Sequence, residues 1–434
     1  MAALLCCSKR AWAVEMAREK GSVTCRDEGR MEPMKIQNTS ILTVLSATAI
    51  ALTLTAGAFA QTETIIHTFS GGDDGGFPEG ELVLDKNGNL YGTTVNGGAN
   101  SSGAVVEFTS SGGTWTEQII YSFAALGTGD GFGPYGPVAF DSKGNLFGTT
   151  FAGGTFNYGT VFELMPGAHN TWTEKVVYSF TNGNGYIPFS GGVVIDGAGN
   201  VYGSAPVHGS FGFGSIFELV AGASGTWTEK VLHTFTGNND GTAPTGRLVL
   251  DSAGNLFGVS SSGGSHDYGV VFELIPGAGG KWTEKVIYAF LGGAGGVSPL
   301  GGLTFDSEGN LYGVADDLAF ELKPNSNGSW TAKTLHTFTG GSDGAIAESF
   351  LSFDKLGNLY GTTYTGGKHR GTVYKLTPSS TGVWTETVLH RFSANGIDGM
   401  FPYFGVTVDA NGNVYGITTV GGTANQGVVY EIEP

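Results

Sequence analysis

The sequence predicts an all-β, seven-bladed β-propeller of four-stranded blades. Three observations predict it: a signature that returns seven times, strand-forming runs within each repeat, and a last repeat whose missing strand stands at the other end of the chain. The signature is an Asp, two variable residues, Gly-Asn, a Leu or Val, an aromatic and a second Gly. Its aspartates are Asp85, Asp141, Asp196, Asp251, Asp306, Asp354 and Asp409. They recur every 55 or 56 residues except between Asp306 and Asp354, where the spacing falls to 48.

Each repeat holds four short runs. In the fourth repeat they lie at 247–250, 256–260, 270–274 and 282–290, rich in Val, Ile, Thr, Tyr and Phe and divided by Gly, Asn, Asp and Ser. No repeat has helical spacing. A four-stranded sheet cannot bury both its faces alone, whereas seven copies set around an axis cover one another. The last repeat lacks the Trp-led fourth strand, and TETIIHTF at 62–69 copies the second half of WTEKVLHTF at 227–235. That segment is expected to complete the last blade, close the ring and remove exposed sheet edges.

Glycine supplies 75 of 434 residues, without the three-residue period of collagen. Gly88 and its counterparts stand where a tight hairpin demands positive φ, and the flanking Asp and Asn can bond the turn backbone. The signature therefore reads as a turn rather than a calcium loop. The repeated tryptophans, Trp115 to Trp384, open the fourth strand and read as packing groups. Glu107 and its counterparts read as the solvent side of an alternating third strand.

Lys35, an apolar run at 41–54 and Ala58-Phe59-Ala60 before Gln61 read as a secretory signal peptide at 34–60. Residues 1–33 read as a misassigned upstream extension, and 61–434 as one propeller domain. Cys6, Cys7 and Cys25, the whole cysteine complement, fall in the discarded part. The expected product has no thiol chemistry, no disulfide and no stable membrane anchor. It is secreted or periplasmic, and monomeric.

The formal net charge is −17, and nothing resembles the basic stripe that neutralises phosphates, so nucleic acid is excluded as a partner. No nucleophile elbow, HExxH helix or phosphate loop occurs. No organic cofactor is expected, and calcium is the cation that face carboxylates would suit.

Blocks of the form DxxGNLYGTT, GGxxxxGTVFEL and WTEKVLYSF recur together in fixed order, most clearly at 141–150, 153–164 and 172–180. Over 62–434 they resemble the bacterial tandem-repeat family called GloVer. The resemblance implies an exported β-propeller with no established activity, so no site residues carry over.

Candidate ligand-binding residues come from the loops that reach one face. An Asp-Gly recurs between repeats at Asp74, Asp130, Asp240, Asp343 and Asp398, with Asn184 and Gly295 at the other two junctions. A ring of carboxylates around the axial mouth and a set of tight turns both fit this pattern. Aromatic and imidazole groups accompany them, among them Tyr135, Tyr158, Tyr186, His266, Tyr268 and Tyr403. Rings beside carboxylates suit a sugar. His67, His233, His336 and His390 share one register with Tyr121, Tyr178 and Tyr288 on the outermost strand, too far apart for a common metal. His208, His266 and His369 sit in face loops. The fifth repeat is shortened to Ala315-Asp316-Asp317 between its second and third strands, which would open one side of a pocket.

Two functions fit. The first is a non-catalytic exported propeller that binds a polysaccharide or cell-surface partner through its loop face. The second is an extracellular carbohydrate-active enzyme, a glycosidase or lyase, using face carboxylates such as Asp130, Asp240 or Asp343.

Overall fold

The computed structural model describes residues 62–181, 191–207 and 211–433, together with three short strands nearer the N-terminus. The chain divides into two compact units, Met1–Ala60 and Gln61–Pro434. In the first, Val14–Glu15, Val23–Asp27 and Arg30–Met34 form a small antiparallel sheet. Apart from Met34 the signal segment lies outside the described residues, as do Asn184, Tyr186 and His208.

The second unit is the seven-bladed propeller. Blade 1 orders Gly76–Leu84, Leu90–Asn96, Ala104–Ser111 and Thr114–Ser122 from axis to rim, and the next five blades repeat that order. The seventh consists of Thr407–Val408, Val414–Thr418 and Val428–Glu433, completed by Thr62–Thr68 from the start of the unit. The graft matches the other blades in detail. A bulge between Val429 and Tyr430 interrupts its pairing, as bulges at Val161/Phe162 and Val271/Phe272 interrupt the same strand pair elsewhere.

The core lies between blades. Tyr91, Val105 and Phe123 of blade 1 pack with Leu146, Phe162 and Leu164 of blade 2. Phe69, Tyr415 and Val429 of blade 7 pack with Leu82, Leu90 and Phe108 of blade 1, which seals the ring. Each blade tryptophan reaches back to the signature aromatic of the preceding blade, as Trp227 to Phe147 with ring centroids 5.8 Å apart, and Trp115 to Tyr415 at 5.8 Å.

The signature is a turn. Asp85 Oδ1 accepts the backbone N–H groups of Asn87 and Asn89 at 2.8 Å, and Oδ2 accepts the Asn89 side-chain amide at 3.1 Å. Gly88 has φ +86°, and a Cβ added there would meet nothing within 4 Å, so backbone conformation alone calls for glycine. The third-strand glutamates correct the sequence reading. Glu107 is only 5% exposed, and its Oε1 accepts Tyr91 Oη at 2.6 Å and Asn89 Nδ2 at 3.3 Å. Alternation along a strand marks a solvent side only when one sheet face is wet, and here both faces meet neighbouring blades.

Candidate functional site

The seven innermost strands converge on the axis, and the signature Asp gives them a common register. The residue five before it is Gly80, Gly136, Gly191, Gly246 and Gly301 in the first five blades. A Cβ at Gly80 would lie 2.3 Å from the Gly136 carbonyl carbon, and one at Gly191 2.3 Å from the Gly246 oxygen. Glycine here lets adjacent backbones touch. The residues on either side of this glycine line a cavity of about 230 Å³.

Six before the Asp, the described copies are Glu79, Tyr135, Thr245, Leu300, Glu348 and Tyr403. Burial pushes the Glu79 carboxyl, 9% exposed, up to about 8. Burial and then the charge of Glu79 push Tyr135 up to about 12. Tyr403 bonds Glu348, and burial followed by that carboxylate raises its phenol further. Glu348 is itself raised, by burial first and then by Asp316, with Tyr403 acting the other way. Tyr135 and Tyr403 thus line two adjoining cavities, one shared with Glu348 and the other with Glu79. Tyr364 and Phe401 extend it outward, their centroids 5.1 Å apart, with Tyr364 5.9 Å from Tyr403. Phe401 sits at φ +59°, a costly conformation for an aromatic residue, held by its N–H donating to Arg370 O at 2.9 Å.

Four before the Asp stands a second ring. Arg247 Nη1 lies 3.6 Å from Glu81 Oε2, and its guanidinium stacks 4.0 Å from the Phe350 centroid. Burial raises Glu81 and Arg247 opposes it. The sequence reading missed Glu79, Glu81, Arg247 and Glu348. A signal was present: aligned on the signature Asp, these two positions each carry five residue types over the seven repeats while the turn beside them stays the same.

The sequence matches the family described as the Gloeobacter/Verrucomicrobia repeat over residues 48–217, 175–320 and 318–434. The chain belongs to this family. A search of curated proteins finds no match. Among solved structures the propeller is similar to virginiamycin B lyase from Staphylococcus aureus, at 12% identity and TM-score 0.53 over 86% of this chain and 99% of that one. It is also similar to a streptogramin B lyase, at 13% identity and TM-score 0.53 over 86% and 97%. A third is the extracellular domain of a hybrid two-component system from B. thetaiotaomicron, at 11% identity and TM-score 0.51 over 85% and 39%. At these identities the likeness is one of fold.

In this Gloeobacter/Verrucomicrobia repeat protein, Tyr135 and Tyr403 stand at the axial mouth, and the other candidates lie elsewhere. Tyr158 packs against the core between blades 2 and 3. Tyr268 and His266 are exposed in the loop between the second and third strands of blade 4, His266 Nδ1 lying 2.9 Å from Ser265 Oγ. The Asp-Gly aspartates do not ring the mouth. Asp240 accepts the Thr236 amide at 2.8 Å and hydroxyl at 2.7 Å, and faces His233 Nε2 at 3.4 Å. Asp74 and Asp343 do the same with Ser70 and His67, and with Thr339 and His336. Asp130 accepts Ala124 N at 2.7 Å and Tyr121 Oη at 2.8 Å, and Asp398 accepts Ser393 N at 2.8 Å and faces His390 at 3.4 Å. All five cap the turn that follows the outermost strand, because an Asp six to eight residues beyond the strand end finds those free amides first. The register histidines and Tyr121 are their partners. Burial lowers His67, His233 and His336 against the pull of those carboxylates, so the imidazoles stay neutral at pH 7.

The shortened fifth repeat connects to the axial site. Asp316 sits at φ +52° in its tight loop, with its carbonyl accepting Ala347 N, and Asp317 Oδ1 accepts Ile346 N at 2.7 Å. Both aspartates thereby lie close enough to Glu348 to raise its carboxyl.

Proposed function

We propose that the protein is an exported propeller that binds a polysaccharide, or a sugar-bearing partner on a cell surface, at its axial mouth. The observation that carries this reading is the grouping of Tyr135 and Tyr403 with Glu79 and Glu348, extended by Tyr364 and Phe401. Aromatic faces take the apolar faces of sugar rings, while carboxyls and phenols bond the hydroxyls. The acidic surface favours neutral or amino sugars over uronic acid polymers. Calorimetric titration with neutral, amino and acidic oligosaccharides tests it. A neutral or amino glycan is expected to bind, and Tyr403→Ala to weaken it at least ~10-fold, about 1.4 kcal/mol. Absence of binding across the panel overturns the reading.

A second reading, a carbohydrate-active enzyme, is favoured by one observation. Glu79 holds its proton at neutral pH, as a general acid must. The proton donor would then be Glu79, since Asp130, Asp240 and Asp343 are committed to turns. An enzyme would lose turnover in Glu79→Gln with glycan affinity retained, and the binder would show no turnover in either protein.

A further inference from the structure

Three of the junctions between blades repeat one arrangement, and the junction between blades 6 and 7 varies it. At Asp74, Asp240 and Asp343 the capping Ser or Thr lies four residues before the aspartate, and both carboxylate oxygens accept from it. Between blades 6 and 7 the loop is one residue longer, with Ser393 five residues before Asp398. Oδ2 there takes both the amide and the hydroxyl of Ser393, at 2.8 and 3.1 Å, while Asn395 Oδ1 accepts the Asp398 N–H at 2.7 Å. Oδ1 is left buried without a hydrogen bond, in a residue only 6% exposed.

Two further groups point into the same space. His390 Nε2 lies 3.4 Å from Asp398 Oδ1 and 3.7 Å from Glu63 Oε2. His390 Nε2 and Glu63 Oε1 are also buried and make no hydrogen bond. One donor atom from each residue falls within 4.8 Å of the other two.

We propose that Glu63, His390 and Asp398 hold a first-row divalent cation, zinc by preference, with water as the fourth ligand. Zinc–nitrogen and zinc–oxygen bonds of ~2.0–2.2 Å at tetrahedral angles place donor atoms ~3.3–3.6 Å apart, close to the separations here and long for hydrogen bonds. Two carboxylates neutralise the ion, and a neutral imidazole supplies the nitrogen. Calcium, which takes six to eight oxygens, is a poor fit to this set. Burial pushes Glu63 up to about 7, with His390 opposing the shift and Asp398 adding to it. The three ligands come from three places: the closing strand Thr62–Thr68, the outermost strand Trp384–Arg391 of blade 6, and the loop into blade 7. The ion would tie the closing strand to blade 6 and the loop that follows it.

The test is zinc content of the full chain after dialysis, by elemental analysis, in the parent and in His390→Tyr. Tyr stands at this register in Tyr121, Tyr178 and Tyr288, so the blade tolerates it. Cys6, Cys7 and Cys25 are present in both proteins and cancel in the difference. The parent is expected to carry one zinc more than His390→Tyr and than Asp398→Asn, and to melt at lower temperature in EDTA, a response both variants lack. His336→Tyr, whose partner Asp343 has both oxygens occupied, should keep the parent's zinc. Equal zinc in parent and His390→Tyr overturns the site, and so does an equal loss in His336→Tyr.

Discussion

The signature turns and the axial rings lie on the same seven innermost strands, four to six residues apart, and have opposite characters. Every turn carries the same Asp, Gly and Asn. The ring position six residues earlier runs through Glu79, Tyr135, Thr245, Leu300, Glu348 and Tyr403. Each turn solves a problem local to its own hairpin, so one solution serves seven times. The ring residues crowd around one poorly solvated axis, where seven identical carboxylates would repel one another. Difference among repeats therefore marks the place where chemistry is concentrated, and identity marks the scaffold.

The largest effect expected from that contrast is a pH dependence set by Glu79. The folded protein keeps its proton up to about pH 8, whereas the unfolded chain releases it near the ordinary 4.5. The parent therefore loses stability as pH rises through that window, on the order of 4 to 5 kcal/mol from this group alone. Glu79→Gln has no such loss. Denaturant unfolding should find the two proteins nearly equal at pH 4.5 and the variant more stable by ~4 kcal/mol at pH 8. A gap that stays constant with pH would show that the carboxyl ionises normally.

At the turn the sign reverses. Burial works against the Asp306 carboxylate, but hydrogen bonds from Asn310, Tyr312 and the Glu308 amide outweigh it and hold the group below its ordinary range. Its contribution is complete above the ordinary value of 3.8 and is lost as pH falls through the lower folded value. Asp306→Ala removes the acceptor for donors at 2.7 to 3.0 Å and should cost about 2 to 3 kcal/mol at pH 7. Glycan affinity should be unchanged, since the substitution touches the scaffold and not the mouth. Tyr403→Phe should do the reverse. Losing the phenol opposite Glu348 is expected to weaken glycan binding by ~5-fold, about 1 kcal/mol, with a smaller change in unfolding.

The blade count, the ring closure and the turn role of the signature were legible because each repeats at fixed spacing or is missing at one end and present at the other. The carboxylate ring was not. The sequence placed Asp240 in a loop on one face, but not that its oxygens would turn back to Thr236 and His233. Glu107 was misread because alternation records a two-fold period and not which of two packed faces is dry. Glu79 and Arg247 escaped notice because an isolated residue on an innermost strand has no periodicity to announce it, and only alignment on Asp85 and Asp251 brings them to the same axis.

The smallest expected effect isolates what the turn requires. Leu356 stands between Asp354 and Gly357 in the sixth signature and is 85% exposed, an apolar side chain with little packing to lose. Its service to the turn is a backbone one, the N–H donated to Asp354 Oδ1 at 2.9 Å. Any residue other than proline supplies that donor. Leu356→Ser should therefore leave stability within about 0.5 kcal/mol of the parent. Leu356→Pro removes the donor and should lower stability by about 1 kcal/mol or more in the same denaturant titration. Equal losses from the two would mean that the leucine side chain itself holds the hairpin, and that the repeated Asp, Gly and Asn are not sufficient to specify it.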